Sequence, residues 1–481
     1  MLNGQEVAKH NSRKSCWVVI KGKVYDLTSF LNDHPGGANS ILRYGGKDAT
    51  AEYELLHSPG TIEKTLSPEQ HLGPVEPGTM SSIQTGQSAD IDPPKSIPIS
   101  LCLNLEDIEL AAQKVISLRA WTYFHSAADS LQSLNINLGD WKKISFRPRV
   151  LRNVAQINME RTIMGQKSRL PFFIAPAAMA KLAHPDGELC LARGAGIHSI
   201  PYCTSSYSSV SHENIAACMA ERSGGCLFFQ LYVSRTKART LELIALARKL
   251  GFKALVVTVD TPVVGKREED ERYKAEVELE SGVVEMPRIA DPNPGTEAPI
   301  LRGVHSSTLD WHDLKWIREA WAGAGPVVLK GIQTAEDAKR AAEIGVDGIY
   351  LSNHGGRQID YAPSSIRTLL EIRRFCPEIL SKVEVYLDGG IRRGADVLKA
   401  LCLGATAVSL GRPFMYALGA YGSEGVVKAI QILSDEIETT MRLLGVTDLS
   451  ELNPDLVNYT ILEQELPKSL REFTFQPQSR L

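Results

Sequence analysis

The sequence predicts an α/β protein in which a small α+β domain precedes a (β/α)8 barrel, and three observations lead to this prediction. The chain has 481 residues, more than one ordinary hydrophobic core accommodates, so two domains are expected. After residue 105, eight short apolar runs alternate with longer helical patterns. Between residues 73 and 100 the composition shifts to Pro, Gly, Ser, Thr and Gln, which is typical of a linker.

The eight apolar runs are the predicted strands of the barrel. Amphipathic patterns such as 335–344 and 395–403 separate them, as expected of repeated βα units. Parallel strands buried on both faces favour a TIM barrel. An open doubly wound sheet is the alternative, but no G-x-G-x-x-G opens a first βα unit. The strand candidates are 172–175, 200–204, 227–230, 255–259, 327–330, 348–351, 383–387 and 407–410.

The domain limits follow from the same patterns. Strand patterns at 17–20 and 23–27 surround the turn Lys21-Gly22 near the amino terminus. We therefore predict a small domain over 1–77, a linker over 78–104, and a barrel domain with a carboxy-terminal tail over 105–481. The segment 268–306 is long, charged and Pro-rich, and is interpreted as an excursion after the fourth strand, close to the barrel mouth.

The composition is that of a soluble globular protein. Hydrophobic residues make up 43% of the chain and charged residues 23%, and the formal net charge is -3. This balance gives no indication of binding to nucleic acid or to an anionic membrane surface, and no apolar run reaches the length of a membrane span. The 8 cysteines form no C-x-x-C pair, which argues against zinc ribbons, dithiol redox motifs and covalent haem attachment. Free thiols in a reducing compartment are expected.

Two histidines of the small domain are candidate metal ligands. The motif His34-Pro35-Gly36-Gly37 places an imidazole at a tight turn, and His57 follows in a second loop. Two imidazoles on facing loops can bind haem iron from both sides and leave no position for oxygen. Residues 16–37 resemble the cytochrome b5 family. That resemblance implies that His34 and His57 are the axial ligands of a non-covalent haem b, which carries electrons.

The loops after the last two barrel strands predict a phosphate site. In TIM barrels a phosphate often lies after strands seven and eight, where glycine amides and a cation converge. These two loops supply Gly389, Gly390, Arg392, Gly411 and Arg412.

The loop after the sixth strand predicts acid–base chemistry. His354 titrates near neutral pH, and Arg357 offers a planar fork for a carboxylate. Asp260, at the end of another strand, could hold the imidazole and stabilise its cation. Lys330 adds a positive charge at the same end of the barrel.

Residues 105 to about 475 resemble the family of FMN-dependent 2-hydroxy acid dehydrogenases and oxidases, chiefly through 352–358 and 388–392. The resemblance implies FMN as the second cofactor and a 2-hydroxy acid as the substrate. It implies that His354 is the catalytic base and that Asp260 is its partner. It further implies that Arg357 and Tyr123 bind the substrate carboxylate.

Further roles come from the same resemblance. Tyr232 is expected to bind the substrate hydroxyl, Arg267 to be a second active-site arginine, and Lys330 to stabilise negative charge on the reduced flavin. Tyr207, two positions after Ser205, is expected over the substrate side chain, where its bulk favours lactate or glycolate over an aromatic acid. The expected FMN contacts are Ala177, Ser205, Gln230, Thr258, Lys330, Ser352, Asp388, Gly389, Gly390, Arg392, Gly411 and Arg412.

The predicted reaction is the oxidation of a small L-2-hydroxy acid, most readily L-lactate, with electrons passing from FMN to haem and then to an external acceptor such as cytochrome c. The alternative is an oxidase that passes electrons to oxygen, with an accessory haem domain. A non-catalytic electron-transfer module is a third hypothesis. Whether the Cα hydrogen leaves as a proton or a hydride stays open.

Two expectations concern the surroundings of the enzyme. The carboxy-terminal Ser479-Arg480-Leu481 resembles the S-K-L peroxisomal address, so a peroxisomal location is predicted. The alternatives are the cytoplasm, or mitochondria if a presequence is missing from this chain. The family resemblance also implies a homotetramer.

Overall fold

The computed structural model describes residues 1–34, 37–57, 59–79, 97–222, 224–280 and 305–470. The amino-terminal part contains a four-stranded antiparallel sheet in the order β1-β2-β3-β4. The two predicted strands are confirmed as β2 and β3, and β4 adds the end of this domain to its sheet. Its elements are β1 (Asn11–Ser12), β2 (Ser15–Ile20), β3 (Lys23–Asp26), β4 (His71–Pro74), α1 (Gly4–Val7), α2 (Ala38–Leu42), α3 (Thr50–Leu56) and α4 (Thr61–Thr65).

Helices and short strands lead from this sheet into the barrel. Three helices come first: α5 (Leu105–Val115), α6 (Leu118–His125) and α7 (Gln132–Asp140). They are followed by β5 (Ser145–Phe146) and by the hairpin of β6 (Arg161–Ile163) and β7 (Gln166–Ser168). Ile163 and Met164 of this hairpin are fully buried against the inward-facing side chains of the barrel, among them Phe173 and Tyr386. The hairpin therefore closes the amino-terminal end of the barrel.

Eight parallel strands form the closed barrel, so the predicted TIM barrel and all eight strand positions are confirmed. Nearly every residue of these strands is buried, because helices cover the outside and side chains fill the inside. All eight strands point their carboxyl ends to the same mouth. The strands are β8 (Phe172–Ile174), β9 (Pro201–Ser205), β10 (Cys226–Tyr232), β11 (Leu255–Thr258), β12 (Val327–Ile332), β13 (Gly348–Leu351), β14 (Glu384–Leu387) and β15 (Ala407–Leu410).

The outer layer is helical. The predicted helix 335–344 is confirmed as α13, which begins after the cap Thr334 and ends at Gly345 with φ 83°. The helices are α8 (Glu188–His198), α9 (His212–Ala220), α10 (Lys237–Lys249), α11 (Glu268–Glu280), α12 (Asp313–Trp321), α13 (Ala335–Ile344), α14 (Ser365–Phe375), α15 (Ile379–Lys382), α16 (Gly394–Cys402) and α17 (Arg412–Leu444). After them, β16 (Val457–Asn458) pairs with β5, and α18 (Thr460–Gln464) follows.

Several further expectations can be compared with this architecture. The excursion predicted over 268–306 begins with α11, while 281–304 lie outside the described residues, as do 80–96 of the predicted linker and the terminal tripeptide. All eight cysteines lie in the described part of the chain and are free thiols. Among the described helices, none has both the length and the apolar character that a membrane span requires.

Candidate active site and haem site

His354 stands at the barrel mouth in a strained loop after β13. Its φ of 59° lies in the left-handed region, which is uncommon for a residue with a side chain and is typical of functional sites. The loop is held from outside the barrel, because Asn353 and Asn137 of α7 exchange two side-chain hydrogen bonds of 2.8 and 2.9 Å. The His354 amide also donates to Ser352 Oγ at 3.0 Å.

The His354 ring joins two other predicted residues. Its Nδ1 lies 2.8 Å from Asp260 Oδ1, and its Nε2 lies 3.2 Å from the hydroxyl of Tyr232. Burial lowers the pKa of His354 below its usual value, although the Asp260 carboxylate acts in the opposite direction. Burial alone would raise the pKa of Asp260, but His354 and Lys330 outweigh it and lower that pKa to about 2. The pair is therefore a neutral imidazole beside an ionised carboxylate at neutral pH.

Lys330 lies close to three polar side chains that follow neighbouring barrel strands. Its Nζ donates to Ser352 Oγ at 2.8 Å and lies 3.5 Å from Asp388 Oδ2 and 3.9 Å from Asp260 Oδ2. Among the described residues, Asp260 Oδ2 and Asp388 Oδ1 are buried without a hydrogen-bond partner. Buried polar atoms without partners are costly, so these oxygens indicate a place for a polar ligand.

Arginines and a tyrosine line the substrate side of the mouth. Arg357 donates to the carbonyls of Tyr123 and Ser126 at 2.8 Å each, and its guanidinium lies over the Tyr123 ring at 5.3 Å. Burial, together with the nearby charge of Arg267, lowers the pKa of Arg357 to about 9. Within the described part of the chain, the buried Nε of Arg267 has no hydrogen-bond partner. Two partly buried guanidinium groups that repel each other favour an anion between them.

The predicted phosphate loops lie where expected, but their residues have additional structural contacts. Gly390 has φ 77°, and a Cβ there would be 1.8 Å from the Asn137 carbonyl oxygen, so α7 requires this glycine. Gly389 has φ 96°, and its carbonyl accepts from Trp141 Nε1 at 2.9 Å. At Gly411 a Cβ would meet only Ala175 among the described residues, at 3.9 Å, which leaves room for a ligand.

The two arginines of these loops pair within the protein. Arg392 lies 3.2 Å from Glu109 of α5. Arg412 donates to the carbonyls of Phe124, Gly355 and Ser126 at 2.8 to 3.0 Å, so it supports the loops around His354. Their phosphate contacts stay predictions.

The remaining predicted FMN contacts lie at the ends of β8 to β11. Gln230 donates to Thr258 Oγ1 at 2.9 Å and accepts from the Ser206 amide at 3.2 Å. Ser205 Oγ accepts from the Tyr207 amide at 3.1 Å, and Ala177 is half-buried in the loop after β8. Polar groups and a small side chain thus line one sector of the mouth.

His305 is a site residue that the sequence did not indicate. Its ring lies 4.4 Å from the ring of Tyr232 and 5.6 Å from that of Tyr207, and the rings of Tyr207 and Tyr232 stack at 5.3 Å. Burial lowers the pKa of His305 to about 4. His305 lies in the long stretch of sequence between β11 and β12, where no strand end or motif marks a functional position. Tyr207, Tyr232 and His305 therefore form an aromatic wall on the side of the site where the substrate side chain is expected.

The two predicted haem ligands face each other in the small domain. The ring centres of His34 and His57 lie 6.0 Å apart. Two imidazoles that share one metal at metal–nitrogen distances of about 2 Å have ring centres about 6 Å apart. Nδ1 of His34 lies 3.1 Å from the Gly37 carbonyl, and Nδ1 of His57 lies 3.2 Å from the Tyr53 carbonyl. These bonds assign the proton to Nδ1 and leave both Nε2 atoms able to bind iron.

Comparison with known families agrees with both sites. Residues 112–459 match the FMN-dependent dehydrogenase family, and residues 3–76 match the cytochrome b5-like heme/steroid binding domain. The chain therefore belongs to the FMN-dependent dehydrogenase family, and a cytochrome b5-like haem domain precedes its flavin domain. Its cofactors are FMN and haem b.

Individual relatives share this organisation to different extents. The L-lactate dehydrogenase (cytochrome) of Wickerhamomyces anomalus is 39% identical over 99% of this chain and 83% of its own. The 2-hydroxyacid oxidase 2 of Bos taurus is 40% identical over 74% of this chain and 99% of its own. The solved flavin-binding domain of baker's yeast flavocytochrome b2 has a TM-score of 0.69 and 36% identity, over 80% of this chain and 94% of its own. The predicted combination of a cytochrome b5-like domain with an FMN-dependent dehydrogenase domain is thus confirmed, and the chain is similar to flavocytochrome b2.

Residues of this chain suit both cofactors. In the barrel, the cation of Lys330 and the Asp260 and Asp388 oxygens that lack a hydrogen-bond partner fit the polar groups of a flavin ring, and Gly411 leaves space for a ligand. In the small domain, His34 and His57 face each other at the spacing expected of two ligands of one metal. Burial lowers the pKa of both rings, which favours the neutral form that binds a metal.

Proposed function

We propose that this chain oxidises L-lactate, or a 2-hydroxy acid of similar size, to the 2-oxo acid and passes the electrons through haem b to an external acceptor such as cytochrome c. The observation that carries the proposal is the neutral His354, hydrogen-bonded to Asp260 in a site that also contains the partly buried Arg267 and Arg357. The full-length relative that is named an L-lactate dehydrogenase (cytochrome) supports the choice of substrate and acceptor.

Binding of the substrate follows from charge. A 2-hydroxy acid is an anion at neutral pH, and the partly buried Arg357 and Arg267 provide positive charge for its carboxylate. Tyr123 lies beneath the Arg357 guanidinium and adds its hydroxyl as a further donor. The Tyr232 hydroxyl and His354 Nε2 lie 3.2 Å apart. A substrate hydroxyl next to both could accept a hydrogen bond from Tyr232 and donate one to His354 Nε2.

Removal of a proton follows from the tautomer of His354. Because Nδ1 donates to Asp260, Nε2 carries the lone pair and can accept a proton of the substrate. The resulting imidazolium is stabilised by the ionised Asp260, whose lowered pKa keeps it charged. FMN, when bound, supplies the oxidising power by accepting two electrons from the substrate and releasing them one at a time. Lys330, next to Ser352, would stabilise the negative charge of the reduced flavin.

The small size of the substrate is inferred from the aromatic side of the site. Tyr207, Tyr232 and His305 form a continuous set of rings there. Their bulk leaves less room for an aromatic substituent than a smaller residue at Tyr207 would. We expect a preference for lactate or glycolate over mandelate of about 10-fold or more.

An oxidase that uses oxygen is the second candidate function. It is favoured by relatives named 2-hydroxyacid oxidase 2, which match the flavin domain at 40% identity. Turnover with L-lactate in air distinguishes the two, because a dehydrogenase reduces added cytochrome c with little hydrogen peroxide. Stoichiometric peroxide without reduction of cytochrome c would assign the chain to the oxidases and refute transfer through the haem.

Location and assembly complete the proposal. We infer a peroxisomal location from Ser479-Arg480-Leu481, and a homotetramer from the family resemblance. A peroxisomal enzyme would not meet mitochondrial cytochrome c, so in that location a different external acceptor would take the electrons. Import of a fluorescent fusion, compared with the same fusion lacking the tripeptide, tests the location. Sedimentation of the holoprotein tests the assembly, and a monomer would contradict it.

A further inference from the structure

An ion pair joins the haem domain to the flavin domain. Arg119 of α6 donates through Nη1 to Glu52 Oε1 of α3, and Arg43 Nη2 lies 3.6 Å from the same oxygen. The side chains of Glu52, Arg43 and Arg119 are 17%, 18% and 26% exposed. Partly buried charges are less screened by salt than exposed ones, so this pair contributes more than an ordinary surface pair.

On the haem side, the pair is connected directly to an iron ligand. Glu52 belongs to α3, and His57 follows as the residue that ends this helix. The adjacent Tyr53 also holds His57: the Tyr53 carbonyl lies 3.2 Å from His57 Nδ1, and the Tyr53 ring stacks on the His57 ring at 4.5 Å. A displacement of α3 therefore displaces His57.

On the flavin side, the pair is connected to the substrate site. Arg119 belongs to α6, which also carries Tyr123. The Tyr123 carbonyl accepts from Arg357, and the Ser126 carbonyl after the helix accepts from both Arg357 and Arg412. α6 is thus a rigid element that starts at the domain contact and ends at the residues around His354.

We propose that the Glu52–Arg119 ion pair docks the haem domain on the flavin domain and thereby sets the rate of electron transfer between the two cofactors. The inference rests on the proposed function, in which each hydroxy acid releases two electrons and two protons as it becomes the 2-oxo acid. Haem iron accepts one electron as Fe3+ becomes Fe2+, so two transfers cross the contact for each substrate. Arg119 and Glu52 act as positioning residues, since neither contacts the reacting atoms.

The test compares three variants of the full-length holoprotein. Glu52→Gln and Arg119→Gln each remove one charge of the pair. Glu54→Gln is the matched control, because Glu54 lies on the same helix but pairs at 2.9 Å with Lys21 of its own domain. In anaerobic stopped flow with L-lactate, haem reduction should slow about fivefold in the first two variants, while flavin reduction should match the wild type. The double variant should be no slower than either single variant.

A structural measurement accompanies the kinetics. Small-angle scattering should show a larger radius of gyration for Glu52→Gln and Arg119→Gln at moderate salt, and an unchanged one for Glu54→Gln. High salt should bring the wild type towards the variants. If Arg119→Gln reduces haem as fast as the control and scatters as the wild type does, the docking role is refuted. If no hydroxy acid reduces flavin in the wild type, the proposed function fails, whereas scattering still decides the docking.

Discussion

His354 is subject to two opposing effects. Burial favours the neutral imidazole, and the ionised Asp260 favours the cation, with the result that the pKa of His354 lies below its usual value. A base in this state is unprotonated at neutral pH and still has a carboxylate to stabilise the proton that it receives. The catalytic competence of the site thus depends on the balance between two residues on β11 and β13 loops.

Replacing His354 by Gln should remove flavin reduction by L-lactate, because the amide side chain cannot accept the substrate proton that His354 Nε2 would take. The haem absorption bands should persist, since His34 and His57 lie in the other domain. Absorption spectra before and after anaerobic addition of lactate measure both effects. Flavin that still bleaches at the wild-type rate would contradict the role of His354 as base.

Replacing Asp260 by Asn should change the pH dependence of kcat/KM in a defined direction. Asp260 raises the pKa of His354, so its loss lowers that pKa, and the acid limb of the profile should move to lower pH. The plateau should fall by about 100-fold or more, because the imidazolium loses its partner. Initial rates from about pH 5 to pH 9 measure both. A limb that moves to higher pH would contradict this account.

At the residue scale, the sequence predicted the groups that follow buried strands, and the structure brings His354, Asp260, Tyr232 and Lys330 together. This was possible because the carboxyl ends of barrel strands meet at one mouth. His305 could not be predicted, because no strand end or motif marks its position in the sequence. The pairing of Arg412 with three carbonyls could not be predicted either, since backbone partners leave no pattern in the sequence.

At the element scale, α7 has a function that its sequence does not display. It lies outside the barrel, yet Asn137 holds Asn353 next to the base and its backbone contacts the loop after β14. The predicted strands and helices agree with the structure because the spacing of apolar residues shows which face of each element is buried. The contact of α7 with two loops is a long-range feature that periodicity does not report.

Replacing Gly390 by Ala should lower the free energy of unfolding of the flavin domain by about 2–4 kcal/mol. A Cβ there combines a left-handed φ with a clash against the Asn137 carbonyl. Gly251→Ala is the matched control, because Gly251 also has φ 77° but would meet nothing within 4 Å, so only about 1–2 kcal/mol is expected. Equal losses in urea unfolding of the two variants would contradict the required approach of α7.

At the scale of the whole molecule, two domains divide the chemistry. The flavin domain contains the proposed base and the proposed substrate arginines, and the haem domain contains two facing imidazoles that would both be used to hold the iron. The sequence predicted this division from two separate motifs. It could not predict the contact between the domains, because Glu52 and Arg119 are ordinary surface residue types whose pairing appears only in the fold.

Replacing His57 by Ala should abolish the haem bands while FMN remains bound and reducible by L-lactate, because the flavin site lies in the other domain. Cytochrome c reduction should then fall to a small fraction of the wild-type rate. Spectra and cytochrome c assays of the purified variant measure both. A normal haem spectrum in this variant would refute the assignment of His57 as an iron ligand.

The most direct test of the whole account is anaerobic mixing of the wild-type holoprotein with L-lactate, with the flavin and haem bands followed separately. The flavin band should bleach first, and the haem band should then change to its reduced form. Glycolate should act similarly, and mandelate should act poorly. A flavin that stays oxidised with every one of these acids, or a haem that stays oxidised beside reduced flavin, would contradict it.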